Sequence, residues 1–112
     1  MEITEAKEND VLILTVTGDL NSHTSPVFEQ ALLPRIDAGE LLVLIDGANL
    51  KYISSAGLRV FLKARQKLLP RKGKIALCRL QPMVQDVFEM AGFLGVVPIL
   101  KTREEAMRLL RA

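Results

Sequence analysis

Residues 41–62 read LLVLIDGANLKYISSAGLRVFL and contain the clearest structural pattern in the chain. It opens with an unbroken apolar run, Leu41–Ile45, that closes at Asp46. Such a run is typical of a strand covered on both faces, as in a parallel sheet that lies beneath helices. A short loop then leads to Ser54 and Ser55. The apolar residues Leu58, Phe61, Leu62, Leu68 and Leu69 then recur at helical spacing, which places them on one side of a helix. The stretch predicts a buried strand, a loop and a helix.

The rest of the chain repeats this alternation. We predict an N-terminal hairpin of Ile3–Glu8 and Asp10–Thr17 around Asn9-Asp10. Further strands are predicted at Lys74–Cys78 and Val96–Leu100. Helices are predicted to begin at Ser25, Ser55, Pro82 and the capping box Thr102-Arg103-Glu104-Glu105. In the first helix Ser25 is expected to be the N-cap, and Pro34 should kink the helix or end it early. The sequence predicts a single α/β domain over residues 1–112, with a mixed, largely parallel sheet, an N-terminal hairpin and about four packed helices.

Composition excludes several classes of protein. The 112 residues are 49% hydrophobic and 25% charged, which is enough to bury a core, and the net charge is only +2. That charge and an aromatic content of 4% do not indicate a nucleic-acid partner. No apolar run reaches the ~20 residues that span a bilayer, and the charged N-terminus does not resemble a signal peptide. The single cysteine suits a reducing compartment, since it cannot form an intrachain disulfide. We therefore expect a soluble, cytoplasmic domain that does not insert into membranes.

Residues for catalysis and for metal or cofactor binding are scarce. His23 is the only histidine, and the chain has neither a metal-ligand spacing nor a glycine-rich phosphate loop. The run Ser55-Ala56-Gly57 matches half of a nucleophile elbow, but Ile53 stands where the upstream glycine would be. We therefore expect no metal, no cofactor and no enzymatic activity, against the alternative of a small enzyme with Ser55 as its nucleophile.

Two serines stand at the start of the central helix. Ser54 and Ser55 are expected outside the carboxyl end of the sheet, where open α/β folds bind ligands. A helix N-terminus stabilises an anion by ~0.3–1 kcal/mol when exposed, so it would tolerate a phosphate on either serine. Gly57, two residues after Ser55, permits close approach of another backbone. From the residues alone, the alternative that one serine only caps the helix stays open.

Other residues have structural and functional interpretations side by side. Asp46 is expected to accept backbone N–H bonds in the loop, although its place after a buried strand also fits a phosphoacceptor of the receiver type. Cys78, Met83 and Met90 are interpreted as packing residues. His23 could contact a partner or simply lie on the surface.

A basic run without one acid follows the serines: Arg59, Lys63, Arg65, Lys67, Arg71, Lys72 and Lys74. It would suit an acidic partner or RNA, but a solvated helix face is the better interpretation because no aromatic residues are interleaved with it.

The sequence resembles the STAS domain family, and within it the bacterial anti-sigma factor antagonists. The resemblance runs nearly end to end and rests on Gly18-Asp19-Leu20-Asn21 with Thr24, the strand that ends in Asp46, Tyr52-Ile53-Ser54-Ser55-Ala56-Gly57-Leu58, Ala91-Gly92-Phe93 and Glu104-Glu105-Ala106. The family's antagonists usually have Asp at the positions of Asn21 and Ser54, so this chain carries less negative charge beside the serine.

The resemblance implies a partner switch controlled by phosphorylation. The unmodified domain would bind an anti-sigma factor that is also a GHKL-type serine kinase, phosphorylation would end the association, and a PPM-type phosphatase would reset it. By position the acceptor is Ser55, with Ser54 as the second choice. The partner-binding residues expected here are Asn21, His23, Ser54, Gly57, Leu58 and Arg59. The alternative is a STAS subunit of a membrane transport complex, such as a lipid or ABC-type transporter, in which the domain docks unmodified.

Overall fold

The computed structural model describes residues 1–112. It contains one six-stranded sheet and four α-helices, which confirms the predicted mixed α/β fold. The strands are β1 (Glu2–Glu8), β2 (Val11–Leu20), β3 (Leu42–Asp46), β4 (Leu50–Ile53), β5 (Lys74–Cys78) and β6 (Ile99–Leu100). The helices are α1 (Ser25–Asp37), α2 (Ser55–Leu68), α3 (Pro82–Met90) and α4 (Arg103–Arg111), and short 3-10 turns lie at Leu69–Arg71 and Phe93–Gly95.

The sheet has the order β1-β2-β3-β5-β6, with β1 antiparallel to β2 and every other neighbour parallel. The predicted hairpin is confirmed: it turns at Asn9 and Asp10, whose φ angles of 48° and 69° are those that a two-residue type I′ turn requires. Strand β4 lies off this path and pairs in parallel with the end of β2. The strands β2 to β6 therefore point their carboxyl ends toward one edge of the sheet.

The two faces of the sheet are covered unequally. On one face, helices α1, α2 and α3 pack on the sheet and form a core of 21 buried residues. Phe61 of α2 links the three helices, since its ring centroid lies 5.2 Å from that of Phe28 and 5.4 Å from that of Phe88. On the other face, Ala106 and Leu110 of α4 complete a cluster of seven buried residues. Helix α2 is thus held firmly against the larger core.

The start of α1 differs from the prediction. Ser25 is the first helical residue, and the N-cap is Thr24. The Thr24 hydroxyl makes no capping bond: it accepts the N–H of Asn21 at 2.9 Å, on the loop side, and donates to the backbone carbonyl of Asp19 at 2.6 Å. The prediction that Ser25 caps the helix is wrong, and its side chain is buried instead.

Helix α1 also does not end early at Pro34 but continues to Asp37. Proline removes only one backbone donor, and the buried side chains of Leu33 and Ile36 hold the following turn against the core. Tertiary packing therefore outweighs the local effect of the proline.

The sheet contains more strand than predicted near the start of α2: β2 is longer, and β4 is an additional strand. Strand β2 continues past Thr17 through Gly18, whose φ is +104°, and its register with β4 shifts between Gly18 and Asp19. Strand β4 was predicted as a loop. Only its two ends, Leu50 and Ile53, are buried, so it lacks the alternation by which a strand is recognised in a sequence.

Two methionines predicted to pack are exposed. Met83 is 79% exposed and Met90 is 88% exposed, so this prediction is wrong. Helix α3 is only nine residues long and turns Val84 and Phe88 inward, which leaves the two methionines on its outer side.

Two further predictions need correction. Leu62 and Leu69, placed on the apolar side of α2, are exposed, because the helix packs through Val60, Phe61 and Ala64. The last strand has two residues, Ile99–Leu100, since the 3-10 turn and Pro98 precede it. The strand lies at the edge of the sheet, where a neighbouring proline is tolerated.

Candidate functional site

The central feature of the site is the entry into α2 from β4. The backbone N–H of Ser54 donates to the carbonyl of Leu20 at 2.8 Å, which fixes this turn to the end of β2. Ser54 has an extended backbone (φ −101°, ψ 177°), and its carbonyl accepts the first helical bond, from Leu58 N–H at 3.0 Å. Ser55 is the first residue of the helix, and it is exposed.

No side chain caps the N-terminus of α2. The Oγ atom of Ser54 is buried and has no hydrogen-bond partner, and no acidic residue lies in the first turn. The alternative that Ser54 serves as a side-chain cap is therefore wrong. Because the first N–H groups of a helix lack intrahelical acceptors, this turn carries an uncompensated positive potential next to the Ser55 hydroxyl.

Gly57 lies on the inner side of α2. A Cβ atom there would stand 2.8 Å from Cγ1 of Ile53 and 3.0 Å from Cβ of Leu20. The absence of a side chain thus lets the helix start lie directly on the ends of β2 and β4. In the structure Gly57 approaches the protein's own strands and does not face the solvent.

Asn21 organises the loop between β2 and α1. Its Oδ1 accepts bonds from the backbone N–H groups of His23 at 2.9 Å and Thr24 at 3.0 Å. Its own N–H donates to the Thr24 hydroxyl at 2.9 Å. Asn21 is half-buried, while His23 is exposed. The asparagine shapes the loop, and the histidine lies on its outer surface.

The structure brings this loop together with the first turns of α2. Ser22 of the loop and Ala56 and Arg59 of α2 line one groove. Leu58 is half-buried and packs against the larger core, whereas Arg59 is exposed and makes no ion pair. Of the predicted partner-binding residues, Arg59 lines this groove, and Gly57 is buried beneath the helix start.

Asp46 is part of a buried ion-pair network that the sequence did not reveal. It is fully buried, and its Oδ2 lies 2.7 Å from Nη2 of Arg79 and 2.9 Å from Nε of Arg103. Its Oδ1 accepts the Ala48 N–H at 3.1 Å, which confirms the predicted backbone bond. Burial raises the pKa of Asp46, but hydrogen bonds from Arg79, Arg103 and Ala48 outweigh it and hold the pKa below its usual value. Both arginines donate hydrogen bonds to the Asp46 carboxylate. A carboxylate held in this way does not suit the alternative that Asp46 is a phosphoacceptor.

The basic run is largely used within the molecule. Lys63 pairs with Glu29 at 2.9 Å, and Lys67 pairs with Asp37 at 2.9 Å. Arg71 donates to the carbonyl of Ile36 at 2.7 Å. These contacts join α2 and its following turn to α1, so much of the basic run stabilises the packing of these two helices.

Cys78 is a core residue, as predicted. It is fully buried at the end of β5, and burial raises the pKa of its thiol to about 11. A thiol with that pKa is protonated at neutral pH and is not a nucleophile.

The chain contains no cluster of three or more His, Cys, Asp or Glu side chains that could hold a metal ion. None of its helices combines the length and the apolar character needed to cross a membrane.

The fold and this site define an open α/β domain with an exposed serine at an uncapped helix start. A model of the STAS domain family matches residues 2–106, and the chain belongs to that family. BtrV of Bordetella bronchiseptica, named as an anti-sigma factor antagonist, is 41% identical over 106 residues, which cover 95% of this chain and 91% of BtrV. The anti-sigma F factor antagonist of Paenibacillus polymyxa is 28% identical over 96% of this chain and 92% of its own length.

The fold is also that of the anti-sigma factor antagonist SpoIIAA from Bacillus, which has been solved in two states. The unphosphorylated form superposes with a TM-score of 0.84 at 20% identity and covers 98% of this chain and 96% of that one. The phosphorylated form superposes with a TM-score of 0.75 at 19% identity and covers 98% of this chain and all of that one.

Proposed function

We propose that this STAS domain is an anti-sigma factor antagonist whose binding is switched by phosphorylation of Ser55. In the unmodified state it binds an anti-sigma factor and so frees the sigma factor. Phosphorylation of Ser55 ends that association. The domain acts in the cytoplasm, where its partner and ATP are found, and it performs no chemistry of its own.

The observation that carries the proposal is the position of Ser55. Its side chain is exposed at the first residue of a 14-residue helix whose N-terminus no side chain caps. A phosphoserine there brings about −1.5 to −2 charges at pH 7. The positive end of the helix stabilises such a charge by up to ~2 kcal/mol, so the domain keeps its fold when modified.

A partner bound on the same surface experiences the opposite effect. It meets new charge and bulk at the centre of the contact, and an unmatched charge in an interface costs several kcal/mol. Phosphorylation therefore changes binding strongly and stability little. This separation is what a switch requires.

The remaining site residues have distinct roles in this proposal. Asn21 orders the loop that presents His23 to the partner, and Leu58 and Arg59 belong to the docking helix. Gly57 acts indirectly, because it seats the helix start on the strands. Ser54 is a poorer acceptor than Ser55, since its Oγ is buried.

The kinase and the phosphatase are separate proteins in this scheme. The anti-sigma factor carries a GHKL-type kinase activity and binds the ATP that is the phosphate donor. A PPM-type phosphatase removes the phosphate and so restores the Ser55 hydroxyl. The names of the relatives support an anti-sigma factor as partner, and the two solved states of SpoIIAA support phosphorylation as the control.

The test is the intact mass of the chain after incubation with ATP and each candidate anti-sigma kinase from the same organism. We expect a gain of one phosphate that Ser55→Ala abolishes. Ser54→Ala is the matched control, because the neighbouring hydroxyl is buried, and it should still gain the phosphate. A phosphate lost in Ser54→Ala but kept in Ser55→Ala would contradict the assignment, and no gain with any kinase would favour the transport-complex alternative.

A further inference from the structure

An apolar pocket lies at the end of α2 that is farthest from Ser55. It has a volume of about 200 Å³ and opens between the end of α2, the start of β5 and the end of α4. Its walls are apolar side chains from these elements and from the segment before β6: Leu68, Leu69, Ile75, Val96, Leu109 and Leu110. Since α2 has 14 residues and rises about 1.5 Å per residue, the pocket lies about 20 Å along the helix from Ser55. It is therefore separate from the site at the start of α2.

Two leucines that line this pocket remain in contact with solvent. Leu69 is 54% exposed and Leu109 is 40% exposed. They come from the turn after α2 and from α4, so two separate segments present apolar surface to one opening. A single exposed leucine needs no explanation, but leucines that converge on a concave apolar surface are typical of a binding site. An apolar group placed between them would remove this surface from water.

The charged residues that line the pocket are all positive. Arg65 is half-buried and makes no ion pair. Lys74 donates to the backbone carbonyl of Ala112 at 2.8 Å and makes no ion pair with an acidic side chain. No acidic residue lines the pocket, and none occurs in the chain between Arg59 and Lys74. These two members of the basic run are not used in contacts with α1, and they favour an acidic ligand.

The volume of the pocket indicates what kind of group it holds. Sites that enclose a small-molecule ligand usually measure about 300–1,000 Å³. An apolar cavity of about 150 Å³ holds a benzene molecule. A pocket of about 200 Å³ therefore accommodates one large apolar side chain, such as leucine or phenylalanine, and leaves the chain that carries it outside. Anchor residues of partner proteins bind in this way.

We propose that this pocket binds an acidic segment of a partner protein. One Leu or Phe side chain of the segment enters between Leu69 and Leu109. Acidic residues on either side of it pair with Lys74 and with Arg65, whose guanidinium binds a carboxylate through two parallel N–H bonds. No aromatic residue lines the pocket on which the bases of an RNA could stack, and a flat lipid surface does not fit a concave opening.

Binding at this pocket is independent of the modification of Ser55. The distance of about 20 Å along α2 exceeds the Debye length of about 8 Å at physiological ionic strength, so salt screens the pocket from a phosphate on Ser55. The domain thus binds this second partner in both of its states. The inference goes beyond the proposed function and does not depend on it.

The test is an NMR titration of the chain with the blocked pentapeptide Ac-Asp-Glu-Leu-Glu-Asp-NH2. We expect saturable shifts of backbone amides that are confined to the end of α2, the start of β5 and the end of α4. The peptide Ac-Asp-Glu-Ala-Glu-Asp-NH2 should bind at least about tenfold more weakly, because it lacks the apolar anchor. The uncharged peptide Ac-Asn-Gln-Leu-Gln-Asn-NH2 should bind about fivefold more weakly, since partly exposed ion pairs contribute little each.

Variants with matched controls assign the binding to the pocket. Leu69→Ser should weaken the acidic peptide about fivefold, and Leu62→Ser is its control, because Leu62 is an exposed leucine of α2 that does not line the pocket. Arg65→Gln should weaken the peptide about threefold. Its control is Lys51→Gln, since Lys51 is exposed and lies outside the pocket. Neither control should change the affinity, and the Tm should change little in all four variants because none of these side chains is fully buried.

Four results would overturn the proposal. Equal affinity for the leucine and alanine peptides would show that no anchor enters the pocket, and unchanged affinity in both Leu69→Ser and Arg65→Gln would place the binding elsewhere. Shifts of the same amides on concentrating the chain alone would assign the pocket to a second copy of the chain. Loss of the same amide signals on addition of phosphatidylglycerol vesicles would assign it to a lipid surface.

A last variant separates this proposal from the switch at Ser55. Ser55→Asp should bind the acidic pentapeptide with wild-type affinity while its affinity for the anti-sigma partner falls. Weaker binding of the pentapeptide in Ser55→Asp would contradict the independence of the pocket. Because the titration involves neither the kinase nor the anti-sigma factor, it can fail while Ser55 is still phosphorylated, and the reverse also holds.

Discussion

Helices α2 and α4 both begin after a strand at the carboxyl edge of the sheet, but only α4 has a side-chain cap and acidic residues in its first turn. At α4, the Thr102 hydroxyl accepts the Glu105 N–H at 3.1 Å, and Glu104 and Glu105 place negative charge in the first turn. Arg103 then ties this turn to the buried Asp46.

The start of α2 has none of these features. It lacks a cap and an acid, and the Ser54 hydroxyl beside it is buried without a partner. The difference indicates that α4 is optimised for stability, whereas α2 keeps its donors free for binding. Sites that bind or switch often forgo stability in this way.

The largest effect on stability is expected at the α4 anchor. Asp46→Asn leaves the two arginines without their carboxylate and should lower the free energy of unfolding by about 3 kcal/mol. This is the lower end of the range for breaking a buried pair, because both guanidinium groups are partly exposed. Urea denaturation measures the loss. Partner binding through α2 should persist under folding conditions, and a loss below 1 kcal/mol would show that the network is dispensable.

The same carboxylate predicts a pH dependence. Because the pKa of Asp46 is lowered in the folded chain, its contribution is complete above the unfolded pKa of about 3.9 and disappears as the pH falls through the lower folded pKa. Wild-type Tm should drop more steeply below about pH 4 than that of Asp46→Asn. Parallel pH profiles of the two chains would contradict this assignment.

At α2, the largest stability effect is expected from Gly57→Ala. The added Cβ would press on Ile53 and Leu20, at a cost that exceeds the gain in helix propensity and leaves a net loss of about 1–2 kcal/mol. Gly95→Ala is the control, because no atom lies within 4 Å of a Cβ there. Thermal denaturation of both variants tests this prediction. An equal change in Tm for Gly57→Ala and Gly95→Ala would show that α2 does not depend on close approach to the strands.

The smallest and sharpest comparison sets Thr102→Ala against Ser54→Ala. Removing the α4 cap should cost about 1 kcal/mol. Removing the Ser54 hydroxyl should cost nothing and can raise stability, because no hydrogen bond is lost and an unpaired buried group disappears. Equal losses in the two variants would mean that the helix starts do not differ as described.

Much of the fold could be predicted from local patterns. The unbroken run at Leu41–Ile45, the Asn9-Asp10 turn and the capping box at Thr102 each specify their structure within a few residues. The serine pair at the helix start was likewise visible, since strand, loop and helix follow one another directly.

What the sequence did not predict depends on distant contacts. Asp46 is held by Arg79 and Arg103, which are 33 and 57 residues away in the chain, and no local pattern indicates that pairing. Strand β4 forms because β2 continues past its glycine to meet it. The uncapped start of α2 was equally beyond local pattern, because a serine at the N-cap position predicts a capping bond that the buried Ser54 hydroxyl does not make.

Ser55→Asp tests whether a partner binds the uncapped start of α2 only while Ser55 is unmodified. The measurement is the affinity of the anti-sigma partner for this variant and for the wild type, with Tm recorded for both. We predict binding at least about tenfold weaker with an unchanged Tm, since a charge is accommodated by the helix but not by the interface. Wild-type affinity in Ser55→Asp would show that binding does not depend on an unmodified Ser55.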